Sequence, residues 1–133
     1  MIAAKGKSLA WIVGLLLPAA PALAAETAPA AQPVTVIATE YRFSPNRLAF
    51  ERGRAYRLRL ENRGKETHEF TAPRFFASVT LGNPEVLNAD RTEIVVQPGE
   101  TKDLRFVARQ AGRYEFRCAD HDWAGMTGEI AVK

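Results

Sequence analysis

Between Tyr56 and Glu61 the chain alternates without exception: Tyr56, Leu58 and Leu60 are apolar, and Arg57, Arg59 and Glu61 are charged. Successive side chains of an extended strand point to opposite faces, so this pattern builds one face for a core and one for water. It predicts a half-buried strand that needs partners of the same kind. Those partners are legible: Leu104 and Phe106 flank Arg105, while Tyr114, Phe116 and Cys118 share one parity against Glu115 and Arg117. Shorter extended runs fall at 34–39, 47–50, 67–71, 94–96 and 128–132. Turn-forming clusters separate them: Ser44-Pro45-Asn46, Glu51-Arg52-Gly53, Asn62-Arg63-Gly64-Lys65, Gln97-Pro98-Gly99-Glu100 and Ala111-Gly112. Seven or eight short strands with regular turns predict an all-β fold, a two-sheet Greek-key β-sandwich. Residues 71–91 break the rhythm; 73–80 read as a short helix or an irregular excursion, and Gly82-Asn83-Pro84 as a turn.

The start of the chain reads as an address. Lys5 and Lys7 precede an apolar run over 9–17, interrupted only by Gly14, and Ala22-Leu23-Ala24 has the small-x-small form of a cleavage site. The run meets Pro18 well short of the roughly 20 residues a membrane span needs. The expectation is a cleaved signal peptide over 1–24, a flexible Ala/Pro-rich leader over 25–33 and one domain over 34–133, exported to the periplasm with no stable membrane insertion. Without Lys5 and Lys7, 16 Lys and Arg stand against 15 Asp and Glu, so the mature charge is only +1. With no basic run interleaved with aromatics, nucleic acid is not an expected partner. About 100 residues suit one domain with one core, and a monomer is expected.

One cysteine in an exported chain is unusual, because an oxidising compartment favours paired thiols or none. Cys118 stands at the inward-facing end of a strand, and His121 and Met126 follow in a tight loop before the last strand. That spacing brings a thiolate, an imidazole and a thioether round one point. With a second imidazole they form the donor set that suits a type-1 copper ion. The mature chain has only one other histidine, His68, at the start of a strand beside a turn, where it can share a pole with the Cys118 loop. The expected metal ligands are therefore His68, Cys118, His121 and Met126, holding one copper ion. Zinc is a chemically admissible alternative for a Cys/His2 set. Haem attachment is excluded, because no Cys-x-x-Cys-His motif is present.

Cys118-x2-His121-x4-Met126, followed by Gly128-x-Ile130-x-Val132, resembles the cupredoxin family, in particular its plastocyanin- and pseudoazurin-like small blue copper proteins. Tyr41-Arg42-Phe43-Ser44-Pro45, Gln97-Pro98-Gly99-Glu100 and Ala111-Gly112-Arg113-Tyr114-Glu115-Phe116 are similar to the family's strand and turn phrases. The resemblance spans roughly 34–132 and is weakest over 71–91. It implies a copper site near one end of the sandwich, with His68, Cys118 and His121 as strong ligands and Met126 as the long axial one. Two positions depart from the family pattern. Glu69 stands where many members carry Asn, a change that alters ligand orientation and tuning. Asp120 and Asp122 flank His121 where related proteins present an apolar docking patch, which would favour a cationic partner.

The expected function is that of a one-electron carrier cycling between Cu(I) and Cu(II), not an enzyme, with the imidazole edge of His121 as electron port. A redox protein, a cytochrome or a copper oxidase or reductase, would dock near His121. Trp123 is expected to pack within its loop, with a docking aromatic as the alternative. The alternative is copper trafficking or resistance without electron transfer; the mature chain lacks the Met/His-rich tracts that would favour it.

Overall fold

The computed structural model describes residues 29–133, together with Ile2, Ala3, Gly6 and Gly14 ahead of them. The export signal expected over 1–24 and the first part of the leader otherwise lie outside the described residues. Among the described residues there are ten strands: β1 (Gln32–Thr39), β2 (Arg42–Ser44), β3 (Arg47–Phe50), β4 (Ala55–Asn62), β5 (His68–Thr71), β6 (Val79–Leu81), β7 (Glu93–Val96), β8 (Thr101–Ala108), β9 (Gly112–Arg117) and β10 (Thr127–Val132). They form two five-stranded sheets, ordered β2-β1-β4-β8-β6 and β3-β10-β9-β5-β7.

β4 is the strand of perfect alternation, and its parity sets that of its sheet. Leu58 and Leu60 are fully buried, as are Val36 of β1 and Leu104 of β8. Registers explain why: Val36 lies opposite Leu60 in the parallel β1–β4 ladder, and Leu58 opposite Leu104 in the antiparallel β4–β8 ladder. A slip of one residue would turn the whole set to water. The facing sheet supplies Phe70, Ile94, Val96, Phe116 and Ile130, all fully buried. Phe43 of the first sheet meets Phe116 of the second at 5.2 Å between ring centres, and within the second sheet Phe70 stacks on Phe116 at 4.5 Å.

β1 starts two residues earlier than expected, because Gln32 and Pro33 continue the ladder opposite Tyr56 and Arg57. Proline is tolerated there since β2 pairs only with residues 37–39, so the other edge of β1 is open at Pro33. Two strands were not legible in advance. β2 is three residues long, and β6 lies inside the stretch that broke the rhythm. That stretch also holds a helix, α1 (Pro73–Ala77), with proline in its first turn. Its Phe75 and Phe76 are buried, and Phe75 packs among Phe50, Phe106 and Tyr114 at 5.3–5.8 Å between ring centres. The Ser78 hydroxyl closes the helix by donating to the Phe75 carbonyl at 2.7 Å. A single 3-10 turn, Pro84–Val86, follows β6.

Candidate metal centre

One pole of the sandwich gathers the ends of β1, β4 and β9 and the beginnings of β5 and β10. Cys118 follows the last residue of β9, and His68 is the first of β5, so two adjacent strands deliver both to that pole. The return from β9 to β10 is tight. The Cys118 N–H donates to the Met126 carbonyl at 3.0 Å and the His121 N–H to the Cys118 carbonyl at 3.2 Å. A 3-10 turn over Asp122–Ala124 ends on Gly125, whose φ of 80° is the left-handed conformation glycine adopts without a Cβ clash. That reversal brings Met126 back beneath the loop, fully buried.

His68, Cys118 and His121 are brought together, with ligand atoms all within 4.8 Å of one another. Sγ of Cys118 lies 3.3 Å from Nδ1 of His121 and 3.9 Å from Nδ1 of His68. Donors bound at roughly 2.0–2.3 Å to one trigonal metal ion stand about 3.5–4 Å apart; the two Sγ–Nδ1 distances lie close to that range, and all three donors are near enough to share one ion. The chemistry fits as well: one soft thiolate, two imidazole nitrogens and a thioether side chain in the same loop form a type-1 copper set. His68 and Cys118 are fully buried, and His121 retains 13% side-chain exposure.

The remaining ring nitrogens are engaged too. His68 Nε2 lies 3.2 Å from Glu40 Oε1, and His121 Nε2 lies 2.8 Å from Glu66 Oε2. A carboxylate on the outer nitrogen fixes tautomer and ring orientation, leaving Nδ1 of each ring to face the centre. Glu40 is held in turn by the backbone N–H groups of Lys65 at 2.6 Å and Glu66 at 2.9 Å. These bonds, those from Glu66 and Lys65 and the one to His68, outweigh desolvation and hold the Glu40 carboxyl down at about 2. Asn62, buried at the end of β4, ties the intervening loop down. Its amide donates to the carbonyls of Glu66 at 2.7 Å and Val96 at 2.9 Å, and its oxygen accepts from the Gly64 N–H.

Glu69, where the family pattern has Asn, is 8% exposed and faces the sulfur. Its backbone N–H points to Cys118 Sγ at 3.4 Å, and the thiol donates to Glu69 Oε2 at 3.0 Å. Burial, with a smaller contribution from the Glu69 carboxylate, pushes the Cys118 thiol up to about 11. The metal-free thiol therefore keeps its proton at neutral pH.

His121, whose imidazole edge is the expected electron port, lies partly under another ring. The Tyr41 ring covers it at 4.8 Å between centres, and the Tyr41 hydroxyl donates to Glu66 Oε1 at 3.2 Å. Trp123, expected to pack within its loop, is 75% exposed and tilts over Tyr41 at 5.6 Å. Its indole N–H is satisfied by the Asp120 carbonyl at 2.9 Å, so the ring is held outward, free of the core. Of the two flanking acids, Asp120 is exposed, while Asp122 is paired with Arg117 at 3.3 Å. Glu40, Tyr41 and Glu66 went unnoticed as site residues in the sequence. Only the nearness of Glu66 to His68 along the chain hinted at a role.

Residues 8–132 match the family described as a cupredoxin-like domain. A copper-resistant cuproprotein of Rubrivivax gelatinosus, CopI, is 28% identical over 105 residues, covering 74% of this chain; the chain spans only 64% of that relative's length. Among solved structures, reduced auracyanin from the photosynthetic bacterium Roseiflexus castenholzii superposes with a TM-score of 0.58 at 20% identity, over 79% of this chain and 99% of its own. Auracyanin B gives 0.56 at 20% identity, over 77% and 89%. At such identities the structural likeness speaks for the fold. With the family match covering nearly the whole chain and the donor set suited to the metal, this protein belongs to the cupredoxin-like family of copper-binding β-sandwiches.

Proposed function

We propose that this protein is an exported mononuclear copper protein that carries single electrons, with His68, Cys118 and His121 as strong ligands and Met126 as the weak axial one. The observation that carries the reading is the buried triad of Cys118 Sγ and the two Nδ1 atoms, all at one pole of a rigid sandwich. Bound there, copper supplies a one-electron couple. The protein supplies donors whose positions are already set by strand ends and hydrogen bonds, so little rearrangement accompanies a change of state. Export rests on the signal peptide read over 1–24. No helix among the described residues is long and apolar enough to cross a membrane.

A redox partner meets the aromatic cover rather than bare imidazole. Trp123 and Tyr41 form a step from the surface to His121, and a partner docking there meets the site through these two rings. Exposed Asp120 beside it favours a cationic surface on that partner.

Copper resistance without electron transfer is the second reading, favoured by the likeness to a relative described as a copper-resistant cuproprotein. Both readings require copper. Adding Cu(II) to the mature apoprotein is expected to give an intense visible thiolate-to-copper band and a narrow-hyperfine EPR signal, both abolished by Cys118→Ser. Absence of band and signal with Cys118 still reduced overturns the site. Fast electron self-exchange with slow copper loss to a chelator supports the carrier, and the reverse supports resistance.

A further inference from the structure

Each of the three strong donors has a carboxylate of its own. Glu40 lies on His68 at 3.2 Å, Glu66 on His121 at 2.8 Å, and Glu69 accepts from Cys118 at 3.0 Å. The three contacts come from the β1–β2 turn, the β4–β5 loop and β5 itself, and each brings a negative charge that orientation alone does not require. One hydrogen bond to any acceptor, a backbone carbonyl included, would fix each ring. Among the described residues, no Lys or Arg comes within 4.0 Å of these three carboxylates, so none of their charge is answered by a paired cation.

We propose that Glu40, Glu66 and Glu69 form an anionic shell that tunes the valence preference of the centre, shifting it towards Cu(II) relative to the same donors without those charges. The inference rests on the copper site proposed above. Its physical basis is Coulombic. Negative charge a few ångströms from the donors stabilises the more highly charged ion more, and it raises the basicity of the imidazoles and the thiolate. The effect is graded by burial, because water screens an exposed charge. Glu69, 8% exposed and directly on the sulfur, is the strongest. Glu40 follows, its side chain 28% exposed and its carboxylate clamped by two N–H groups. Glu66, 47% exposed, is the weakest. The three thereby act as specificity-determining residues through the ligands they touch, without being ligands themselves. The three-residue donor cluster excludes Glu69, whose carboxylate stands on the sulfur alone.

The test compares the wild type with Glu69→Gln, Glu40→Gln and Glu66→Gln, and with Glu115→Gln as a control. Glutamine keeps the size and the accepting oxygen and removes only the charge. Glu115 is exposed on the outer face of β9, so its loss alters net charge without touching the pole. Cu(II) and Cu(I) dissociation constants are measured by chelator competition and the midpoint potential by voltammetry. The expected result is a Cu(II):Cu(I) affinity ratio that falls about tenfold in Glu69→Gln, a rise of about 59 mV in a one-electron potential. Smaller falls are expected in Glu40→Gln and then Glu66→Gln, and none in Glu115→Gln. A ratio unchanged in Glu69→Gln, or equal shifts in all four variants, overturns the proposal while leaving the copper site standing. If the wild type shows no thiolate-to-copper band, both fall together. Thermal unfolding of each variant separates a misfolded pole, which loses the band altogether, from a retuned one, which keeps it and shifts its potential.

Discussion

Gly64 leaves open the space in which the Glu40 carboxylate sits: a Cβ built at residue 64 would overlap Glu40 Oε1. The two are distant in sequence but follow neighbouring strands of one sheet, Glu40 just after β1 and Gly64 in the turn after β4. Their close approach lets the carboxylate accept from two successive backbone N–H groups while still reaching His68 Nε2. The absence of a side chain at residue 64 thus bears on how a metal-facing imidazole is held.

Gly64→Ala is accordingly expected to act through Glu40. The carboxylate is the flexible end of a side chain and gives way before the backbone does, so the fold survives and the clamp on His68 opens. Copper affinity is expected to drop by roughly tenfold, within the range usual for losing an outer hydrogen bond to a ligand. Chelator competition checks this, and Gly64→Ala combined with Glu40→Gln should lose little more than either alone.

Met126→Leu preserves volume in a fully buried position, so its cost to stability is expected to stay below about 1.5 kcal/mol. The proposed axial thioether disappears, and with it the weak donor that tunes the couple. Copper should remain bound with a shifted visible band and a raised potential. Spectra and voltammetry unchanged from the wild type would show that the thioether does not reach the metal.

Trp123→Ala removes an exposed ring that contacts Tyr41 and no core residue. Spectrum, copper affinity and melting temperature are expected to stay as in the wild type. Electron self-exchange, measured from NMR line broadening in mixed-valence samples, should slow several-fold if encounters run through the aromatic step.

Phe75→Ala tests the segment that broke the strand rhythm. Phe75 is fully buried among the rings of Phe50, Phe76, Phe106 and Tyr114, and truncating such a side chain costs about 3–5 kcal/mol. Denaturant unfolding should show a loss of this order. The visible band of the folded copper form should be unaltered, since none of the rings Phe75 packs against is a metal donor.

Asp103 carries a pH dependence remote from the metal. It lies opposite Arg59 in the β4–β8 ladder and accepts two parallel bonds from its guanidinium, at 2.9 and 3.0 Å. The bond from Arg59 holds its carboxyl below the ordinary value. A carboxyl lowered on folding contributes stability above its unfolded value of about 3.9, and the contribution vanishes as pH falls through the folded value. Asp103→Asn should therefore lower the melting temperature at neutral pH. The gap to the wild type should close below about pH 4, as thermal scans across pH would reveal.

Much of this protein is written locally. The parity of Tyr56, Leu58 and Leu60 was enough to orient β4, because burial on one face admits only one register. The spacing of Cys118, His121 and Met126 was enough to pick out the loop, because donors a few residues apart cannot avoid one another. β6 was illegible, and α1 was readable only as one of two alternatives over 73–80, for the opposite reason. Pro73–Ala77 has no apolar period of its own, and its helical turn is held by two phenylalanines that find a core made by other strands. The site divides the same way. The donors were readable as residue types, but Glu40 and Tyr41 reach them from the far end of β1, across a contact no local pattern records. Trp123 misled because an indole is as apolar outside a core as within it; only the Asp120 carbonyl and the Tyr41 ring decide that it faces outward. Sequence alone determined which atoms could bind a metal. Tertiary structure decided how much negative charge surrounds them, because charge acts through space and not along the chain.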